Sequence, residues 1–229
     1  MAKLTASDGE GYDYFGRSVA IDGATVVIGA TGSGTYPSGS VGTFFSGSVY
    51  VFHTSDGGVT YDEVAKLTAS DAYSNDNLGI SVAIDGTTIV AGAYGDDDAG
   101  SRSGSAYVFR MQDAVTVVKA GYIQVAKLTA SDAAEWDRFG WSVAIEGDTI
   151  VVGAHYDDDG GSNSGSAYVF RTSDDGATYV EVAKLTAADA ASSDYFGVSV
   201  AIDGGTIVVG AEGDDDDACP DNMNCDSGS

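Results

Sequence analysis

Basic residues are scarce in this chain. Ten lysines and arginines stand against 35 aspartates and glutamates, giving a formal net charge of −25 over 229 residues. Phosphate backbones would be repelled rather than neutralised, which excludes nucleic-acid binding as a function class. Anionic membrane surfaces are disfavoured for the same reason. No run of 18 apolar residues occurs, so this segment holds no membrane-inserting helix. Proline is nearly absent at 2 residues, while glycine reaches 32, a balance that suits short strands joined by tight turns. The two histidines, His53 and His155, sit in unrelated contexts and form no ligand or base cluster. The sequence offers no Ser-His-Asp set and no phosphate-cradling glycine loop ahead of a helix.

Cysteine is equally sparse. Cys219 and Cys225 share one loop. Two cysteines so close in an otherwise cysteine-free chain point to a local disulfide and an oxidising compartment. Two free thiols are the competing reading. A zinc site is excluded, because that loop adds no His or further Cys.

What is present is a repeat. Lys-Leu-Thr-Ala begins at Lys3, Lys66, Lys127 and Lys184. Each copy leads into an acidic loop, a Phe-Gly or Leu-Gly pair, a Ser-Val-Ala-Ile run, an Asp-Gly or Glu-Gly pair and a β-branched run ending in Gly-Ala. The period is roughly sixty residues, with repeats at about 3–65, 66–126, 127–183 and 184–229. Hydrophobic residues make up 43% of the chain, enough for a real core rather than an acidic disordered tail.

The third repeat predicts four antiparallel strands, named A to D. Strand A covers 139–145 and strand B covers 149–154, a β-branched run expected to be buried on both faces. Strand C covers 164–170. Strand D, 178–185, interleaves charged and apolar residues and reads as an outer strand. The Asp-Gly pairs between A and B predict two-residue hairpins with both residues at positive φ. No helical period appears. The expected fold is therefore all-β, a propeller of four-stranded antiparallel blades with the last of four repeats incomplete, forming one region over 1–229. Residues 3–6 read as a D strand able to latch a ring. The chain begins and ends inside repeat sequence, so a piece of a longer protein is expected, its secretion signal lost with the missing N-terminus.

These residues resemble the FG-GAP repeats that build the integrin α-subunit propeller. The first element is carried by Phe15-Gly16, Phe139-Gly140 and Phe196-Gly197, with Leu78-Gly79 as its variant. The second survives as Gly29-Ala30, Gly92-Ala93, Gly153-Ala154 and Gly210-Ala211. The resemblance covers nearly the whole chain. It implies a non-enzymatic extracellular or cell-surface binding or adhesion module, with no catalytic residues. Integrin-like members hold Ca²⁺ in an Asp-x-Asp-x-Asp-Gly loop between A and B. Here those turns are too short to wrap an ion that takes six to eight oxygens.

The acids concentrate elsewhere, in the D–A and B–C loops, which an antiparallel blade places on one face. The expected Ca²⁺ ligands are Asp96, Asp97 and Asp98, then Asp157, Asp158 and Asp159, then Asp214, Asp215 and Asp216. Each set is joined by the neighbouring Asp-x-Phe-Gly or Asp-x-Leu-Gly aspartate, Asp76, Asp137 or Asp194. Hard oxygen donors favour Ca²⁺ or Mg²⁺ over transition metals. The competing reading is a solvated loop whose aspartates cap turns. Aromatics beside the acids, Tyr12, Tyr14, Tyr73, Trp136 and Tyr195, are candidates for glycan stacking or for wedging between blades. The first repeat lacks the Asp triplet and instead inserts 31–46 with Tyr36, Phe44 and Phe45, a partner contact or a loop packed on its neighbour. The partner expected on the acidic face is a protein or a glycan. A spacer propeller without a ligand, and a glycan-processing propeller, are the alternatives.

Overall fold

The computed structural model describes residues 2–34, 45–112 and 121–215. Fourteen strands and no helix occur in them. The first sheet contains β1 (Phe15–Asp22), β2 (Thr25–Ala30), β3 (Ser48–His53) and β4 (Asp62–Leu67). The second contains β5 (Val82–Asp85), β6 (Thr88–Ala93), β7 (Ser105–Gln112) and β8 (Gly121–Leu128). The third contains β9 (Ser142–Glu146), β10 (Thr149–Ala154), β11 (Ser166–Arg171) and β12 (Val180–Leu185). A two-stranded sheet of β13 (Ser199–Asp203) and β14 (Thr206–Gly210) follows. Within each sheet the strands pair antiparallel in chain order. These are propeller blades, three whole and one with its first two strands among the described residues.

The blades stack through their first strands, with β1 against β5, β5 against β9 and β9 against β13. No ladder joins the fourth sheet to the first among the described residues. Cores form between neighbouring blades rather than within one. One joins Val27, Val49 and Val51 of the first blade to Ile89, Ala91 and Tyr107 of the second. The next joins Val90 and Val108 of the second to Phe139, Ile150, Val152 and Tyr168 of the third. Strand β6 therefore sends alternate side chains to opposite neighbours, which is why its sequence is apolar throughout. Strand β4 alternates exposed and half-buried positions, and β12 does so over its first four residues, as an outer strand does; β8 is half-buried along most of its length.

The two dipeptide signatures meet at each blade joint. A Cβ added to Gly29, Gly92 or Gly153 would come within 2.0, 1.8 or 2.0 Å of the carbonyl oxygen of Gly79, Gly140 or Gly197 in the next blade. That same oxygen accepts the hydroxyl of Ser18, Ser81 or Ser142. Glycine is thus required in the Gly-Ala element because the next blade's backbone sits where a side chain would be. The aromatic of the Phe-Gly element plugs the core: Phe139 is fully buried, edge-on to Tyr168 and Phe170.

Two expectations need correction. The A–B hairpins do not place Asp and Gly together at positive φ. Asp22 ends its strand paired with Thr25, and only Gly23 is left-handed, at φ 53°. The acid instead links blades. Asp22 accepts the N–H of Gly86 in the next blade's turn at 2.7 Å, and Asp85 and Glu146 repeat the link. Residues 3–6 form no strand. Leu4 and Ala6 instead pack on a core with Phe15, Tyr50 and Phe52.

Candidate functional site: the acidic loops

Each whole blade holds a lysine within its acidic loops. In the second blade, Lys127 on β8 donates to Asp71 of the D–A loop at 2.7 Å, to Asp96 of the B–C loop at 2.9 Å, and to Asp98. In the third, Lys184 on β12 donates to Asp132 at 2.7 Å, to Asp157 at 2.9 Å, and to Asp159. The hydroxyl of Tyr107 donates to Asp71 and Asp96 at 2.9 and 2.8 Å; Tyr168 does the same to Asp132 and Asp157 at 2.8 and 2.7 Å. Each ammonium also lies over the ring of its tyrosine, at 5.3 and 5.1 Å from the centroid. The first blade has a reduced version. Ser33 stands where the others carry Asp96 and Asp157, and among the described residues the one carboxylate on Lys66 is Asp8, at 2.7 Å.

The strand alternation produces this geometry. The lysine of Lys-Leu-Thr-Ala and the tyrosine of the third strand are directly paired, Lys127 with Tyr107 and Lys184 with Tyr168. Both side chains therefore rise on one face of the blade, beneath the two loops. One further residue on the outer strand ties down the incoming loop: Glu63 accepts from Ser7 and Glu181 from Ser131.

Charge compensation dominates the titration of these groups. Burial disfavours the Lys127 and Lys184 ammonium, but the carboxylates around each outweigh it and hold its pKa above the usual lysine value. Burial likewise opposes ionisation of Asp71 and Asp132, yet the bonds from lysine and tyrosine leave both below the ordinary aspartate range. Burial, then the bond to Asp96 or Asp157, pushes the Tyr107 and Tyr168 phenols up, so both remain donors.

The structure divides nine of the twelve expected calcium ligands into three groups. Asp96 and Asp98 converge with Asp71, and Asp157 and Asp159 converge with Asp132. In each triad one oxygen per residue lies within 4.8 Å of the others, a spacing a metal ion could use. Asp97 and Asp158 turn away and accept the N–H of Arg102 and Asn163, closing their own loops. Asp76, Asp137 and Asp194 are buried and accept the N–H of Tyr73, Ala134 and Ala191, three residues back. Burial, with Asp96 and Asp157 nearby, pushes Asp76 and Asp137 up to about 6. Asp214 is half-buried and Asp215 exposed. Asp216, Cys219 and Cys225 lie outside the described residues.

The residues that sequence reasoning passed over are Lys66, Lys127 and Lys184 and their tyrosine partners. Their signal was present, since Lys in Lys-Leu-Thr-Ala and Tyr in the third strand recur as regularly as the acids. The aromatics fall mainly outside: Tyr12, Tyr14, Tyr73 and Trp136 are exposed, and Tyr195 is half-buried. Phe45 stacks on Tyr14 at 6.1 Å and its carbonyl accepts the N–H of Asn77, so the end of the first-repeat insertion packs on its neighbour. Tyr36 and Phe44 lie outside the described residues.

The FG-GAP repeat profile matches residues 1–52, 61–109, 122–170 and 173–229. The chain belongs to the FG-GAP repeat family. Its matched segments are offset from the blades by one strand: the second, third and fourth each open on the outer strand of the preceding blade, β4, β8 or β12, and continue into the first strands of the next. No curated protein matches the chain. Among solved structures, Sqt1 from Chaetomium thermophilum bound to the N-terminus of the ribosomal protein L10 is 14% identical, with 88% of this chain and 44% of that one covered and a TM-score of 0.48. Trypanosoma rangeli sialidase in complex with sialic acid is 13% identical, with 92% and 37% covered and a TM-score of 0.47. The FG-GAP chain spans less than half of either protein, and a likeness of this degree carries no functional argument.

Calcium is the ion the family implies, so the triads must be tested for fit. Three carboxylates and a phenol provide hard oxygen donors. The position between them is held by an ammonium bonded to every carboxylate of the set. A divalent ion would have to expel that lysine or share its cage against like-charge repulsion. The triads as built fit a lysine ammonium, and they do not fit calcium without a change of conformation.

Proposed function

We propose that this FG-GAP chain is a non-enzymatic binding module, displayed outside the cell or at its surface, that meets a protein or glycan partner on its acidic loop face. The observation that carries the reading is the lysine-centred cluster built at equivalent positions in successive blades. It commits the loop acids to internal neutralisation and fixes the loops as a presenting surface. Buried acids raised to about 6, such as Asp76 and Asp137, resemble general acids in titration alone. They recur blade by blade and cap their own loops, which supports a structural role. Fold alone does not give a function, so the test must be made on the face itself.

Calcium ordering of the loops is the second reading, favoured by the three-oxygen spacing of the triads. It requires Lys127 and Lys184 to leave their positions. The binding reading is tested by biolayer interferometry on immobilised protein against panels of oligosaccharides and basic peptides, with product analysis of the same ligands. Saturable binding that weakens when exposed Asp97 and Asp158 become Asn, without turnover, supports it. Turnover of any ligand overturns the non-enzymatic assignment.

A further inference from the structure

Repetition makes departures from it informative, and four departures meet at one place in the third blade. Arg138 stands where the other repeats have Tyr14, Asn77 and Tyr195. Trp141 replaces Arg17, Ile80 and Val198. His155 replaces Thr31, Tyr94 and Glu212. Tyr156 replaces Gly32, Gly95 and Gly213. The last change breaks a steric rule. A Cβ at the three glycines would lie 1.9, 2.0 and 2.0 Å from a carbonyl oxygen of the D–A loop. The third blade accommodates Tyr156 by loosening the bond that closes this approach. Its N–H lies 3.3 Å from the Asp137 oxygen, against 2.9, 3.1 and 3.1 Å at the glycines. Tyr156 is half-buried, and its ring meets Arg138 and His155 rather than the D–A loop backbone alone.

These side chains touch one another. The Arg138 guanidinium lies over Tyr156 at 3.9 Å from the ring centroid, with Tyr94 and Trp141 at 5.8 and 5.9 Å. His155 packs at 4.4 Å on both Trp141 and Tyr156, and Tyr195 of the fourth sheet closes the group at 5.5 Å from Tyr156. Arg138 has no carboxylate within ion-pair distance among the described residues, in a chain with a large excess of acid. Its Nε and the Nδ1 of His155, a residue only 4% exposed, are buried without a hydrogen-bond partner. Unsatisfied buried polar atoms are uncommon and point to a missing partner. The His155 imidazole can carry a proton on Nδ1, which makes that atom a donor. Two orphan polar atoms, a guanidinium without an ion pair and a wall of rings suit an anionic oxygen acceptor.

We propose that the Arg138–His155 cluster is a binding site for a carboxylate group, held by Arg138 and His155 against the rings of Trp141 and Tyr156. It goes beyond the acidic-face reading and does not depend on it. The carboxylate belongs either to a small free acid or to an acidic side chain of a protein.

The test uses Trp141 fluorescence in the whole chain with Trp136→Phe as background, leaving Trp141 as the sole indole. Sodium acetate is titrated against sodium chloride at matched ionic strength. A blocked Gly-Glu-Gly peptide is titrated beside its Gln counterpart. A saturable change with acetate or the Glu peptide, absent with chloride and the Gln peptide, is expected, and Arg138→Gln should weaken it at least about tenfold. The tighter of the two ligands identifies the source. Tyr156→Gly restores the residue used by the other three repeats. It should keep or raise the melting midpoint while abolishing the response. No saturable change, an unaltered response in Arg138→Gln, or a lowered midpoint in Tyr156→Gly with binding intact would overturn the proposal.

Discussion

At the scale of single residues, charge compensation decides what the acids can do. Lys127 is bonded to three carboxylates, one of them buried, whereas among the described residues Lys66 is bonded to one, the half-exposed Asp8. Removing an ammonium leaves its carboxylates facing one another in a low-dielectric place. Lys127→Met should therefore cost roughly 2–4 kcal/mol of unfolding free energy, below the full value for a buried pair because two of its partners are partly solvated. Lys66→Met should cost about 1 kcal/mol or less. Urea denaturation of both variants checks the ranking, and equal costs would mean that the triad is not a unit. The pH profile follows from two opposing sets. Asp76 and Asp137 have raised folded values, so their contribution is complete below the unfolded aspartate pKa and declines as pH rises through about 6. Asp71 and Asp132 have lowered folded values, so theirs holds above the unfolded pKa and is lost as pH falls below it. The melting midpoint should rise from pH 7.5 toward 5 and drop below about 4. Asp76→Asn, which keeps an acceptor for the Tyr73 N–H, should raise stability at pH 7.5 by about 1–3 kcal/mol and flatten the upper limb. A midpoint that falls steadily from pH 7.5 to 5 would contradict this assignment.

At the scale of strands and blade joints, most of the architecture was legible. Strand β10, at Thr149–Ala154, falls where its β-branched run predicts, and the charged alternation of β12 marks it as outer. The turn chemistry was less so. Asp-Gly signals a tight hairpin in any context, but only the neighbouring blade's N–H explains why the acid closes the strand rather than sitting in the turn. The glycine of each Gly-Ala element was recognisable as a family mark, yet its cause, a carbonyl from the next blade, is a tertiary fact. Gly153→Ala puts a Cβ 2.0 Å from the Gly197 oxygen. It should lower stability by about 2 kcal/mol or more, as overpacking against backbone does. Gly57→Ala, with open space around its Cβ but φ of 75°, should cost only about 1 kcal/mol. Thermal denaturation separates a joint defect from simple backbone strain by the difference between them.

At the scale of the whole molecule, the chain is a radial array whose blades share cores and whose acids project together. The sequence located those acids but not their counterions. Lysines on another strand meet them only once the hairpins place that strand beneath the loops, and three of ten basic residues are used this way. The symmetry-breaking cluster around Arg138 was hidden for the same reason: its members come from separate loops, and two of them, Tyr94 and Tyr195, from the repeats on either side. A surface of one sign whose loops are tied from below by lysines is what the proposed binding role calls for.

The most direct test of that account is a thermal melt of the chain in excess EDTA, in Ca²⁺ and in Mg²⁺ at matched ionic strength. A ligand that binds only the folded state must raise the midpoint. Lysine-filled triads predict the same midpoint in all three solutions. A clear rise with Ca²⁺ but not with Mg²⁺ would contradict them and place calcium where the lysines now sit.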